Sequence, residues 1–192
     1  MHRPPYKKWF ALMFDCAYSE IPDSPQFVRF LEHCLRKHPD KRIRYICAHH
    51  SNATMGSRLV SALIARAGDS REHPVVRGEC LENLSFNNGW PGPKNRIDRK
   101  AYRIVAQCLS DPDSYVRFHA CYAAAHLRMH WVIPQLQALT GDEIPAAMGV
   151  TVGFEATDAI KELRYGEDWR DGFPTSLPPA SSYENLHINP YA

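Results

Sequence analysis

One pattern returns along this chain at a near-constant interval. In residues 111–127, DPDSYVRFHACYAAAHL, the run Asp111-Pro112-Asp113-Ser114 carries turn and N-cap chemistry. Proline presets φ, and short side-chain oxygens accept from the free N–H groups of a first helical turn. Val116, Ala120, Ala123, Ala124 and Leu127 follow at helical spacing. Their small side chains predict a helix face that a neighbouring helix approaches closely. Residues 73–86, HPVVRGECLENLSF, repeat the grammar with Pro74, Val76, Arg77, Cys80, Leu81 and Leu84. Residues 41–50 do so with Ile43, Arg44, Cys47 and Ala48, and residues 151–164 with Val152, Ala156, Ala159, Ile160 and Leu163. Aligned on Ile43, Val76, Val116 and Val152, the spacings are 33, 40 and 36 residues. The residue four places later is Cys47, Cys80, Ala120 and Ala156 in turn. A period of this size predicts stacked helix pairs.

The intervening segments supply the second helices. Residues 54–67 offer Leu59, Val60, Leu63, Ile64 and Ala67 as a buried face, and residues 97–109 offer Ile97, Ala101, Ile104, Val105 and Cys108. Residues 132–139 place Pro134 near a first turn, where its missing N–H costs nothing. The insert NNGWPGPKN at 87–95 is too rich in Gly, Pro and Asn for a helix and lengthens one period.

The combination resembles the HEAT repeat, and within it the short bacterial HEAT-like repeats of the phycobilisome-lyase type. The matching residues are Asp111, Asp113, Val116, Arg117, Ala120 and Ala123–Ala125, then Ile133-Pro134-Gln135-Leu136 and Leu139, with His73–Glu79 matching the start of another repeat. The resemblance spans roughly residues 41–165. It implies an all-α fold, a short α-solenoid of about four helix pairs. On this reading residues 1–165 form a single domain, with an N-terminal cap over 1–40 and repeats over 41–165. The capping helix lies in 21–40, with Phe27, Phe30, Leu31, Cys34 and Leu35 inward. Residues 166–192 are a Pro- and Ser-rich tail with no helical period. The resemblance also implies that Arg44, Arg77 and Arg117 reach carboxylates of adjacent loops, with Asp69, Asp111 and Asp113 as the expected partners.

Charge is polarised along the chain. Residues 1–100 hold 17 Lys/Arg against 10 Asp/Glu, and residues 101–192 hold 6 against 11. The six cysteines form no C-x-x-C pair and fall on apolar helical positions, where a free Cys behaves as a small hydrophobe. At the start, MHRPPYKKWFALMFDC has an apolar run of only six residues, Trp9–Phe14, against the roughly 7–15 of a signal peptide. A cytoplasmic protein without a membrane span is expected.

No catalytic framework stands out. The chain has no G-x-S-x-G, no H-E-x-x-H and no Gly-rich phosphate loop. His119, His126 and His130 are spaced 7 and 4, but a turn at 128–130 separates the last, so they read as surface or turn histidines. Glu155, Asp158 and Glu162 line one side of a helix and read as its wet face. No metal, cofactor or catalytic residue is expected.

The binding residues lie on the second helices. Arg58, Arg66, Arg96, Arg99, Lys100 and Arg103 form a basic strip, and His130, Trp131 and Gln135 offer an anchor beside it. In HEAT-like arrays such helices line a concave surface. The strip suits a protein partner with an acidic surface. By resemblance to immunity-type proteins, the leading reading is a non-catalytic inhibitor that occludes a partner such as a toxin. The alternative is a nucleic-acid binder of the HEAT-like DNA-glycosylase kind, gripping phosphates with the same strip and stacking a base on Tyr102 or Trp90.

Overall fold

The computed structural model describes residues 24–53, 57–86, 96–147 and 149–166. Among them the chain is all-helical, with eight α-helices and a single isolated β-bridge, Pro145 to Thr151. The helices gather into two compact units, Met1–Asn87 and Asn88–Ala192. The insert at 87–95 and the tail beyond Gly166 lie outside the described residues. No described helix is long and apolar enough to cross a membrane.

The first unit contains α1 (Pro25–Lys37), α2 (Lys41–His49), α3 (Ser57–Ala67) and α4 (Pro74–Ser85). Each start with a described cap follows from local chemistry. The Ser24 hydroxyl accepts from Phe27 N–H at 3.1 Å, and Pro25 sits in the first turn of α1. Asp40 accepts from Arg42 N–H at 2.9 Å, and His73 Nδ1 accepts from Val75 N–H at 3.3 Å. Phe27, Phe30, Leu31, Cys34 and Leu35 are buried, as their spacing requires. Helix α1 packs on α2 and α3, while α4 packs on both α2 and α3. Nine of the twelve residues of α4 are buried, including Arg77, Glu79 and Asn83, so its polar residues face neighbours instead of water.

The second unit contains α5 (Arg96–Cys108), α6 (Ser114–His126), α7 (Ile133–Leu139) and α8 (Val152–Tyr165). Asp113 caps α6 by accepting from Tyr115 N–H at 2.9 Å, and Asp111 accepts from Asp113 N–H at 3.1 Å. Helix α6 packs on both α5 and α8. It buries nine of thirteen residues, among them Arg117, Phe118 and His119. The sequence predicted one small-residue face, but a helix with neighbours on two sides is covered nearly all round. Helix α6 ends at the turn predicted near 128. Arg128 adopts φ 56°, and the N–H groups of Arg128 and Met129 return to the carbonyls of Ala125 and Ala124. This is the Schellman arrangement, normally built on glycine.

Helix α8 starts two residues later, relative to the aligned position, than the alignment on Val152 assumed. Thr151 caps α8 by accepting from Phe154 N–H at 3.2 Å, so Val152 is the first helical residue, whereas Val116 is the third of α6. Gly153 takes the place where the other three periods carry arginine, for a steric reason. A Cβ there would lie 2.6 Å from the Thr140 carbonyl oxygen and 3.0 Å from that of Asp142. The described cysteines, Cys34, Cys47, Cys80, Cys108 and Cys121, are free and buried. Burial pushes the thiols of Cys80 and Cys121 well above their ordinary range, which keeps them protonated.

Candidate partner-binding surface

Arg44, Arg77 and Arg117 are held internally, as the resemblance implied, but Arg44 and Arg117 meet carboxylates other than the expected ones. Arg44 donates from Nε and Nη2 to the two oxygens of Glu72 at 2.6 and 2.7 Å. Its Nη1 donates to the carbonyls of His38 and Pro39 at 2.7 and 2.8 Å. In the second unit Arg117 repeats this clasp. Nε and Nη2 donate to Asp142 Oδ2 at 3.0 and 2.7 Å, and Nη1 donates to the carbonyls of Asp111 and Pro112 at 2.7 and 3.0 Å. The carbonyl partners are the sixth and fifth residues before the arginine in both cases. Arg77 donates to the Ala67 carbonyl at 3.0 Å. Of the expected partners, Asp69 instead pairs with Arg71 at 3.1 Å and Asp113 caps α6. The substitution has a geometric cause. Each guanidinium spans from the loop before its own helix to a later loop, the one before α4 for Arg44 and the one before α8 for Arg117, where Glu72 and Asp142 are the acids placed.

Glu72 is the most sealed of these acids, its side chain 1% exposed. Burial alone would raise its pKa. The hydrogen bonds from Arg44, the His73 N–H at 2.7 Å and the nearby Arg66 outweigh it and hold the carboxyl below its ordinary value. The same contact raises Arg44.

Arg66, expected on the binding strip, is part of this cluster. Its Nη1 lies 3.2 Å from Glu72, and the guanidinium donates to the carbonyls of Leu35 and Arg36. It ties α3 to the end of α1 and is not available as an open cation. The side chains of Arg58 and Arg96 lie outside the described residues. Arg99, Lys100 and Arg103 are exposed on α5, with Arg99 and Arg103 one turn apart on one face. His130, Trp131 and Gln135 cluster where a short 3-10 turn, His130–Val132, leads into α7. Gln135 is exposed, while His130 and Trp131 are half-buried. Burial and the neighbouring Arg128 push His130 below its ordinary pKa. The Trp131 indole N–H is buried with no acceptor.

Three sequence readings change. Tyr102 is only 2% exposed and donates its hydroxyl to the Leu127 carbonyl at 2.9 Å, so it is a core residue and cannot stack on a base. Trp90 lies outside the described residues. The stripe Glu155, Asp158, Glu162 is not the wet side of α8, since Glu162 is 7% exposed and the other two are half-buried. Glu162 faces α6, its Oε1 3.8 Å from His126 Nδ1 and 4.0 Å from Arg128 Nη1. His119, expected at the surface, is 6% exposed.

A further pattern escaped the sequence reading. Tyr45 stacks on His49, Tyr115 tilts against His119 at 4.4 Å, and Tyr122 stacks on His126 at 4.1 Å. Each is a tyrosine four residues before a histidine, the first pair on α2 and the other two on α6, and Tyr-x-x-x-His was the visible signal. His49 Nδ1 lies 2.7 Å from Glu79, whose side chain is 5% exposed and also accepts from Asn83 at 3.0 Å. With an ionised Glu79 carboxylate, which can only accept, the bond is donated by the Nδ1–H of His49. Among the described residues, no group of three or more His, Cys, Asp or Glu is arranged to hold a metal ion.

A scan against protein-family models finds no match, and a search of curated proteins finds no significant relative.

Proposed function

We propose that this chain is a HEAT-like repeat protein, a short α-solenoid that acts as a non-catalytic binder of another protein. Helices α2, α4, α6 and α8 are the first helices of successive repeats, and α3, α5 and α7 their second helices. The recurring clasp of Arg44 and Arg117 supports this, as do N-caps at Asp40, His73, Asp113 and Thr151. The partner is a protein with an acidic surface, and the role is that of an inhibitor or immunity-type protein that occludes it. The observation that carries this reading is a division of labour among the cations. Arg44, Arg66, Arg77 and Arg117 are bound into the fold, while Arg99 and Lys100 stand exposed on α5. Exposed long cations on one helix raise the capture rate of an acidic protein.

The test is affinity capture with the full chain in its native cell extract, mass spectrometry, and affinity measurement with the purified partner. The double variant Arg99→Glu/Arg103→Glu should weaken that complex by about tenfold or more, mostly through slower association. Retention of nucleic acid alone, weakening steeply with salt and lost in the same variant, would refute protein binding.

A further inference from the structure

The charges of the first unit are sorted by sign. None of its described acids is exposed. Glu72 and Glu79 are buried, and Glu82 is half-buried. Glu32 is held by Arg36 at 3.2 Å, Asp40 by Arg42 at 2.9 Å and Asp69 by Arg71 at 3.1 Å. The exposed charges are all cations: Arg29, Lys37, Lys41, Arg42 and Arg71. Of these, Arg29, Lys37 and Lys41 make no ion pair with a described residue. Gln26, Arg29, His33 and Lys37 recur at intervals of three and four residues and are all exposed, so they share one outer face of α1, while Phe27, Phe30, Leu31, Cys34 and Leu35 form the buried one. Arg29 and Lys37 stand about 12 Å apart along the helix axis. Lys41 opens α2 four residues after Lys37.

This face offers cations and no apolar anchor. The large apolar side chain exposed among the described residues of the unit is Val75, which lies on α4. A protein interface is centred on buried apolar or aromatic groups. A helix lying in a lipid surface needs an apolar face turned toward it. A single strand of nucleic acid needs aromatic rings on which its bases stack, and no Phe, Tyr or Trp is exposed among the described residues of the unit. The backbone of a duplex asks for none of these. Its phosphate oxygens take Lys and Arg alone, and it carries one charge per about 1.7 Å of axis, so roughly seven phosphates lie along a row of about 12 Å. Each cation then meets a phosphate in any register.

We propose that the outer face of α1, with Lys41, grips the phosphate backbone of a nucleic-acid duplex without reading its sequence. Arg29 and Lys37 supply the grip on α1, and Lys41 adds a third cation from the start of α2. Because Glu32 and Asp40 are neutralised by Arg36 and Arg42, they do not cancel the field of this row. So few contacts give the weak end of non-specific binding, a Kd of about 10⁻⁴ M at physiological salt and tighter at low salt. The row lies on other helices, in the other unit, from the cations of α5, and the inference stands apart from the function proposed above.

Fluorescence anisotropy of a labelled DNA duplex of about 20 base pairs, titrated with the full chain at about 0.05 M salt, tests it. Affinity should fall as salt rises to about 0.2 M, with a log–log slope of about −3, and two duplexes of unrelated sequence should bind equally. Arg29→Ala/Lys37→Ala should weaken binding about tenfold or more and make that slope shallower by about two. Circular dichroism identical to the parent chain keeps the readout one of binding. A chain that leaves the duplex free at about 0.05 M salt overturns the proposal. So does the α1 variant binding as the parent chain does, or binding lost only in Arg99→Gln/Arg103→Gln, which would put the duplex on α5. Tighter retention on polyglutamate or on phosphatidylserine vesicles than on the duplex overturns it too, in favour of an acidic protein or a membrane surface.

Discussion

The guanidinium of Arg44 and the carboxylate of Glu72 meet across 28 residues of chain through hydrogen bonds of 2.6 and 2.7 Å. Because the Glu72 side chain is 1% exposed, water cannot replace a lost partner. Arg44→Ala should therefore lower the unfolding free energy by about 1–3 kcal/mol, less than full orphaning of a buried charge because Arg66 and the His73 N–H still hold Glu72. Urea denaturation measures it. The double variant Arg44→Met/Glu72→Leu should recover much of the loss, because apolar packing replaces a pair whose desolvation largely cancels its attraction. A cost below about 0.5 kcal/mol for the single variant would show that the pair contributes little.

Acid should act through the same carboxylate. Its folded-state pKa lies below the ordinary 4.5, so the unfolded chain takes up the proton first as pH falls. The stabilisation is complete above the ordinary value and declines as pH drops beneath it. Glu72→Gln should flatten that part of the stability-against-pH curve, measured as urea midpoints. An unchanged slope between about pH 5 and 3 would assign the acid sensitivity to other carboxylates.

Gly153 predicts a steric failure at a chosen atom. An alanine there would set Cβ 2.6 Å from the Thr140 carbonyl oxygen, which is backbone and cannot rotate away. Gly153→Ala should cost about 1–3 kcal/mol despite alanine's better helix propensity. A thermal midpoint at or above that of the parent chain would contradict the close approach of α8 to the 140–142 loop.

Arg128 predicts the opposite sign. It holds φ 56° at the end of α6, where glycine carries no Cβ penalty. Arg128→Gly should stabilise by about 0.5–1 kcal/mol, reduced by the added freedom of the unfolded chain. The ion contact at 4.0 Å to Glu162 is too long to reverse that. A destabilised variant would show that the Arg128 side chain, and not its backbone, holds the turn.

The periodic features were legible before any coordinates. The Asp111–Ser114 run announces the start of α6 because capping acts within three residues, while the equally local caps at Ser24, Asp40, His73 and Thr151 were not singled out from the sequence. The buried faces of α1 and α3 are legible because each residue's side is set by the 3.6-residue turn. Which carboxylate answers Arg44 or Arg117, and that Tyr102, His119, Glu79 and Glu162 are buried, was decided only by tertiary packing. The candidate binding residues divide the same way. Arg66 and Arg99 look alike in the chain, yet one closes on the end of α1 and the other stays exposed on α5. Local sequence dictates where a helix begins and which residues share a side. It cannot say how many neighbours cover that helix, and coverage determines whether a charged side chain holds the fold or faces a partner.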